Sequence, residues 1–290
     1  MQVVVIALSS VALIYLALCV ALFVFQRSLL YFPQPSSLGS RDTTISLPVA
    51  DAKVVASVRP RVGRDAVIYF GGNGEDVTGS VAGLMDAFPQ HALYLLHYRG
   101  YGGSTGTPSE AAIVADALAL FDEARREHPN VVVVGRSLGS GVAVRVASLR
   151  PVARVVLVTP YDSIQEIAAT RFALFPVRWL LRDKFESWKY APAVTAPTLL
   201  LAAEHDEVIP RASTDLLLSR FKPGVASMKV IGSRKNGFAY CRRNSSICAT
   251  VAAISVADAP LARAASIAAV LYESMNAKSV TASVISQPIT

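Results

Sequence analysis

The chain reads as an α/β protein: a mostly parallel sheet flanked by helices, preceded by one N-terminal helix of membrane-spanning length. Three observations carry that expectation. Short β-branched runs alternate with helix-period segments between residues 66 and 231. Four consecutive valines, Val131 to Val134, are apolar on both faces, as a central parallel strand requires. Residues 3–25 contain no charge and only two serines, and about 20 apolar residues suffice to cross a hydrocarbon core.

Taken in order, residues 1–27 are expected to form a transmembrane anchor rather than a cleaved signal. No basic segment precedes the apolar run, and no small-x-small site follows it before Gln26 and Arg27. Residues 28–42 read as a Pro/Ser linker, and residues 43–62 as an antiparallel hairpin at a sheet edge. Strands are then expected at 66–70, 92–98, from Val131, at 154–159, 196–203 and 228–231. Helices are expected at 77–88, 109–127, 138–149 and 212–221, with Ser109 capping the second. Residues 164–190, which carry Trp179 and Trp188, break the alternation. They fit either a small lid over the sheet's C-terminal edge or ordinary aromatic helix packing. The globular domain is therefore placed at 43–238. Residues 239–290 form a divergent C-terminal region, with a helix at 257–274 and a disordered end.

The formal charge of +7 raises the question of nucleic-acid binding. Its basic residues are scattered, in small groups such as Arg125-Arg126 and Arg242-Arg243, without interleaved aromatics, so that class is set aside. Attraction to anionic head groups is the simpler use of the charge. By the positive-inside tendency, Arg27 and Arg41 after the span favour a cytoplasmic globular domain. Cys19, Cys241 and Cys248 give neither a disulfide framework nor metal-ligand spacing, so no metal and no cofactor is expected.

The chemistry-bearing stretches all fall at strand ends. Gly135-Arg136-Ser137-Leu138-Gly139 is a G-x-S-x-G match set between the valine strand and a small-residue helix. A serine on such a sharp turn presents its hydroxyl clear of the sheet, and the glycines avoid clashes. Gly71-Gly72-Asn73-Gly74, after the first central strand, lets backbone N–H groups approach a developing oxyanion beside the N–H of Leu138. The loop from Tyr98 to Gly106 is glycine-rich enough to pack next to it. Asp206, just past a buried strand, is placed to orient an imidazole and stabilise its positive charge.

Together these residues resemble the α/β-hydrolase superfamily, and in particular its N-terminally membrane-anchored α/β-hydrolase-domain proteins. The likeness covers roughly residues 30–238 and includes Leu30-Tyr31-Phe32-Pro33, the Gly-Gly-Asn-Gly loop, the Tyr-x-Gly-Tyr-Gly loop, the serine turn and the Asp-x-x-x-Pro stretch. It implies the α/β-hydrolase fold and a serine hydrolase that cleaves acyl esters or thioesters, small-molecule or lipid, through an acyl-enzyme. Ser137 would be the nucleophile and Asp206 the acid. The backbone amides of Leu138 and of Gly72 or Asn73 would form the oxyanion hole. The chain departs from the pattern where the family carries its histidine: Lys235 stands there, and no histidine follows His205. The match stops near that point and does not resume, as true divergence or a shifted reading frame would produce. A lysine needs strong desolvation to act as a base near pH 7. His205 is adjacent to Asp206 in sequence, and neighbours on a loop tend to point apart. Two functions therefore stand side by side: a membrane-anchored serine hydrolase, and a pseudoenzyme of the same fold that binds a ligand or partner without turnover.

Overall fold

The computed structural model of the chain describes residues 1–35, 43–49, 51–204, 206 and 208–231. The expected C-terminal helix, Lys235 and His205 lie outside the described residues. Helix α1 (Gln2–Leu30) comes first and runs three residues past the expected end of the anchor. It is long and apolar enough to cross a membrane, with a mean hydropathy of 2.8 over its most apolar 18-residue window. The chain leaving α1 is strapped to the globular domain rather than loose, since Tyr31 is buried in the main core.

The sheet holds eight strands: β1 (Thr44–Leu47), β2 (Val54–Arg59), β3 (Asp65–Phe70), β4 (Ala92–Leu96), β5 (Asn130–Arg136), β6 (Arg154–Val158), β7 (Thr198–Ala203) and β8 (Ala226–Ile231). Their spatial order is β1-β2-β4-β3-β5-β6-β7-β8. Strand β2 pairs antiparallel with both β1 and β4, and every other pairing is parallel. The expected edge hairpin is therefore present.

Both faces of the sheet are apolar, and the valine run shows why. Val131 and Val133 enter one core cluster while Val132 and Val134 enter the other, following the two-residue period of a strand. Helix α2 (Val81–Ala87), entered through a 3-10 turn at Val77–Ser80, covers the second face with Val81 and Leu84. Helices α3 (Glu110–Glu127) and α4 (Leu138–Leu149) cover the first. Ser109 caps α3 by accepting from the Ala112 amide at 3.2 Å.

The segment that broke the alternation folds as α5 (Ile164–Arg171), α6 (Val177–Leu180) and α7 (Ser187–Tyr190), before β7 and α8 (Arg211–Arg220). Its two tryptophans differ. Trp188 sits beside Lys189 and Arg220, whereas Trp179 is 89% exposed.

Where α4 leaves the sheet there is no room for a side chain at Gly139 on its first turn. A Cβ at Gly139 would overlap the carbonyl oxygen of Phe70 and lie 2.6 Å from that of Gly71. Backbone cannot yield as a side-chain tip can, so Gly139→Ala should destabilise the fold by about 3 kcal/mol or more. Thermal unfolding followed by circular dichroism checks this, and an unchanged midpoint would contradict the packing described.

Candidate active site

The order of the strands creates one crevice. From β3 the chain turns to one face through α2, and from the adjacent β5 it turns to the other through α4. Between two such strands the carboxyl edge of an open sheet is left uncovered, which is where ligands bind in these architectures. Ser137 and the Gly71–Gly74 loop flank that opening.

Ser137 links β5 to α4 with φ 47° and ψ −118°. This is a sparsely populated conformation for a residue with a Cβ, and such strain concentrates at functional positions. Three features hold it. Its amide donates to the Val158 carbonyl at 2.9 Å. Its carbonyl accepts from the Ser140 amide at 2.8 Å and hydroxyl at 2.7 Å. Gly135, with Ala143 facing it, leaves the close approach that the turn needs, since a Cβ there would sit 2.6 Å from the Ala143 Cβ. The Leu138 amide lies on the first turn of α4, where N–H groups have no intrahelical acceptor. Its carbonyl accepts from the Tyr161 hydroxyl at 3.0 Å.

Gly72 faces the serine: a Cβ built on it would stand 3.6 Å from that of Ser137. The structure therefore brings Ser137, Leu138 and the Gly-Gly-Asn-Gly loop together. The amide of Gly72, however, donates to Glu75 Oε2 at 2.6 Å. The Asn73 side chain is also engaged. It donates to the Leu30 carbonyl at 2.5 Å and accepts from the Phe32 amide at 3.2 Å and the Tyr101 hydroxyl at 2.8 Å. Asn73 thus ties the loop to the chain leaving α1, and its side chain faces away from the role of an oxyanion donor.

Glu75 is the residue that reading the sequence missed. Its Oε2 also receives Arg136 at 2.8 Å, and its Oε1 receives the hydroxyls of Tyr69 at 2.8 Å and Ser80 at 2.7 Å. Both charged side chains are nearly buried, at 9% and 8% exposed. Burial, with the Glu75 charge next to it, holds the Tyr69 phenol far above its usual range, so it remains a donor. The ion pair joins the loop after β3 to the residue just before Ser137. The signal was present as an acid ending one glycine loop and an arginine inside the other. Only the β3–β5 pairing makes them neighbours.

The loop after β4 braces the same corner. Tyr98 donates its hydroxyl to the Gly71 carbonyl at 2.8 Å, and Arg99 clasps the buried Asp116 of α3 through two bonds of 2.8 and 2.9 Å.

Asp206 follows β7 at the same carboxyl edge, two strands from β5. Its Oδ1 accepts from the Val208 and Ile209 amides at 2.9 Å each, which shapes the turn into α8. The described histidines stand elsewhere. His91 and His128 precede β4 and β5 at the opposite edge, where His128 Nδ1 lies 2.9 Å from the Gly63 carbonyl. His97 follows β4, but its Nε2 is 2.8 Å from Ser57 Oγ and its other nitrogen lies against Gly102. Among the described residues, no group of acidic, histidine or cysteine side chains could hold a metal ion.

Residues 70–228 match the alpha/beta hydrolase family. An uncharacterized protein of Mycobacterium tuberculosis strain H37Rv is 32% identical over 212 residues, covering 67% of this chain and 74% of that protein. Lysophosphatidylserine lipase ABHD12 of Macaca fascicularis is 30% identical over 168 residues, or 50% of this chain and 42% of the lipase. The chain thus spans less than half the length of that lipase. The esterase Pf2001 of Pyrococcus furiosus superposes with a TM-score of 0.57 at 16% identity, covering 70% of this chain and 90% of the esterase. At that identity the likeness is one of fold.

The ion pair and the buried imidazole each have a measurable consequence. Glu75→Ala should lose about 3–5 kcal/mol in urea unfolding because it strands a buried guanidinium, and the double variant Glu75→Gln/Arg136→Met should recover part of that loss. Burial pushes His97 below its ordinary pKa of 6.5, so protons bind the unfolded chain more readily than the folded one. Stability from this group is then complete above about pH 6.5 and falls as the pH drops below it. Urea unfolding across pH 5 to 8 should show that slope for the native chain, and it should flatten in His97→Gln.

Proposed function

Because the chain belongs to the alpha/beta hydrolase family, we propose that it is a membrane-anchored serine hydrolase in which Ser137 attacks an acyl ester or thioester carbonyl. The observation that carries this reading is the backbone of Ser137, held at φ 47° and ψ −118° opposite Gly72. Strained backbone at a strand-to-helix turn is the arrangement that lifts a nucleophilic serine clear of the sheet, which supports the reading.

In the proposed reaction the Ser137 oxygen adds to the carbonyl carbon, and the charge that develops on the carbonyl oxygen is met by the backbone amides of Leu138 and Asn73. The Gly72 amide joins them only if Glu75 releases it. A base takes the Ser137 proton during the attack and returns it to the departing alcohol or thiol. Water, deprotonated by the same base, then cleaves the acyl-serine to release the carboxylic acid and free the serine. Asp206 is proposed as the acid; its turn uses Oδ1, and Oδ2 is the oxygen proposed to meet the base. His205, next to Asp206, and Lys235, where the family carries histidine, are the two positions proposed for that base. The lipase name borne by a 30% identical relative, together with α1, supports a lipid ester as substrate and attachment to the membrane through α1. Arg27 and Arg41 favour the cytoplasmic side.

A second reading, a binding protein of the same fold without turnover, is favoured by one observation. Each described histidine is bonded or placed elsewhere than at Ser137, and in the sequence Lys235 stands where the family carries its histidine.

Fluorophosphonate labelling separates the two. The native protein should label and Ser137→Ala should not. Lys235→His should raise the labelling rate, since removal of a triad member costs several powers of ten in rate. If the native chain and Lys235→His both stay unlabelled where an intact relative reacts, the hydrolase reading fails and the binding reading replaces it.

A further inference from the structure

The cap between β6 and β7 does not sit over the sheet alone. It runs along α1. Arg27 pairs with Asp183 at 3.1 Å, and Gln26 accepts from the Arg182 amide at 2.7 Å and donates to the Leu180 carbonyl at 3.1 Å. Further up the helix, Tyr15 donates its hydroxyl to the Leu174 carbonyl at 2.9 Å. Its ring stacks on Phe175 with centroids 5.9 Å apart and planes 1° from parallel. From Gln26 to Tyr15 is a climb of about 16 Å at 1.5 Å per residue. The hydrocarbon core is about 30 Å thick, so a span bounded by Gln26 carries Tyr15 to near its middle. Leu174 and Phe175 go with it.

The composition of this tip fits that depth. Residues 172–177 (FALFPV) are uncharged and are bounded by Arg171 and Arg178. Leu174 is 85% exposed and Phe172 52%, which in water would be an unfavourable arrangement for two adjoining large side chains. Trp179 directly precedes Leu180, whose carbonyl Gln26 binds, and an indole beside that boundary suits the level of the head groups. The charge of its neighbour Arg178 is paired with Glu166, at 2.6 Å.

The backbone meets part of the other demand of a lipid environment. The amides of Phe172, Phe175, Val177, Trp179 and Leu181 donate to carbonyls within the cap, Pro176 has none to satisfy, and the Leu174 carbonyl takes the Tyr15 hydroxyl. Irregular chain is tolerated at membrane depth where its polar groups are met by protein in this way.

We propose that residues 172–179 are immersed in the acyl chains of the leaflet beside α1, so that the domain is held by two hydrocarbon-embedded segments with its carboxyl edge turned to the membrane surface. The proposal rests on the reading of α1 as a membrane span, and its test separates the two. Leu174→Trp in a Trp179→Phe/Trp188→Phe background is reconstituted into phosphatidylcholine/phosphatidylglycerol vesicles containing lipids brominated at shallow or deep acyl positions. The expected result is that the protein floats with the vesicles and that its tryptophan is quenched most by deep bromine and is insensitive to aqueous iodide. Flotation with iodide quenching and no effect of bromine would overturn the immersed cap and leave the anchor standing. Failure to float would overturn both. Should circular dichroism show that this variant is unfolded, native Trp179 in Trp188→Phe decides: quenching by shallow bromine supports the proposal, and quenching by iodide alone ends it.

Discussion

Ser137 carries a backbone strain on the order of 1–3 kcal/mol, and the packing of three glycines keeps it in place. Gly135 lets α4 press against the end of β5, Gly139 lets it press against the carbonyls of Phe70 and Gly71, and Gly141 makes room for the Tyr161 hydroxyl. A methyl group at any of these would push the helix from the sheet and relax the turn. The helix start, the serine and the loop after β3 therefore occupy one rigid corner. Everything else at the carboxyl edge is arranged around it.

That corner is also held by charge. Glu75 and Arg136 are nearly buried, and removing two ions from water costs several kcal/mol each unless their remaining hydrogen-bond sites are filled. Here the carboxylate has four donors: Tyr69, Ser80, the Gly72 amide and Arg136. A network satisfied to this degree specifies one arrangement, because any shift of the loop leaves a charge unmet. The same bond that fixes Gly72 also occupies its amide. Rigidity of the loop and availability of an oxyanion donor are thus opposed at one nitrogen, which leaves the Asn73 and Leu138 amides as the donors of the proposed reaction.

The site is coupled to the anchor through short covalent and hydrogen-bonded paths. The chain leaving α1 passes directly over the loop, with Leu30 and Phe32 held by Asn73, Phe32 also held by Tyr101, and Tyr31 sunk in the core. On the other side the cap leans on α1 from Arg27 to Tyr15. The N-terminal helix is therefore joined both to the loop after β3 and to the cap between β6 and β7.

By itself the sequence determined the layered α/β plan, because a period of two with both faces apolar and a period of 3.6 with one apolar stripe are local properties of the chain. It also located the serine turn and the glycine loops, because each is a short motif whose residue types are read locally. The edge hairpin, the cap of α3 at Ser109 and each parallel strand were legible on the same grounds. Tertiary structure alone decided what those loops do to each other. The Glu75–Arg136 pair spans 61 positions and needs β3 beside β5, an order that local patterns do not encode. The exposure of Trp179 and the contact of Tyr15 with Leu174, 159 positions apart, belong to the same class. Aromatic residues at that spacing fit a packed helix as well as a bare one. Which of the two forms depends on the surface that the fold brings to them.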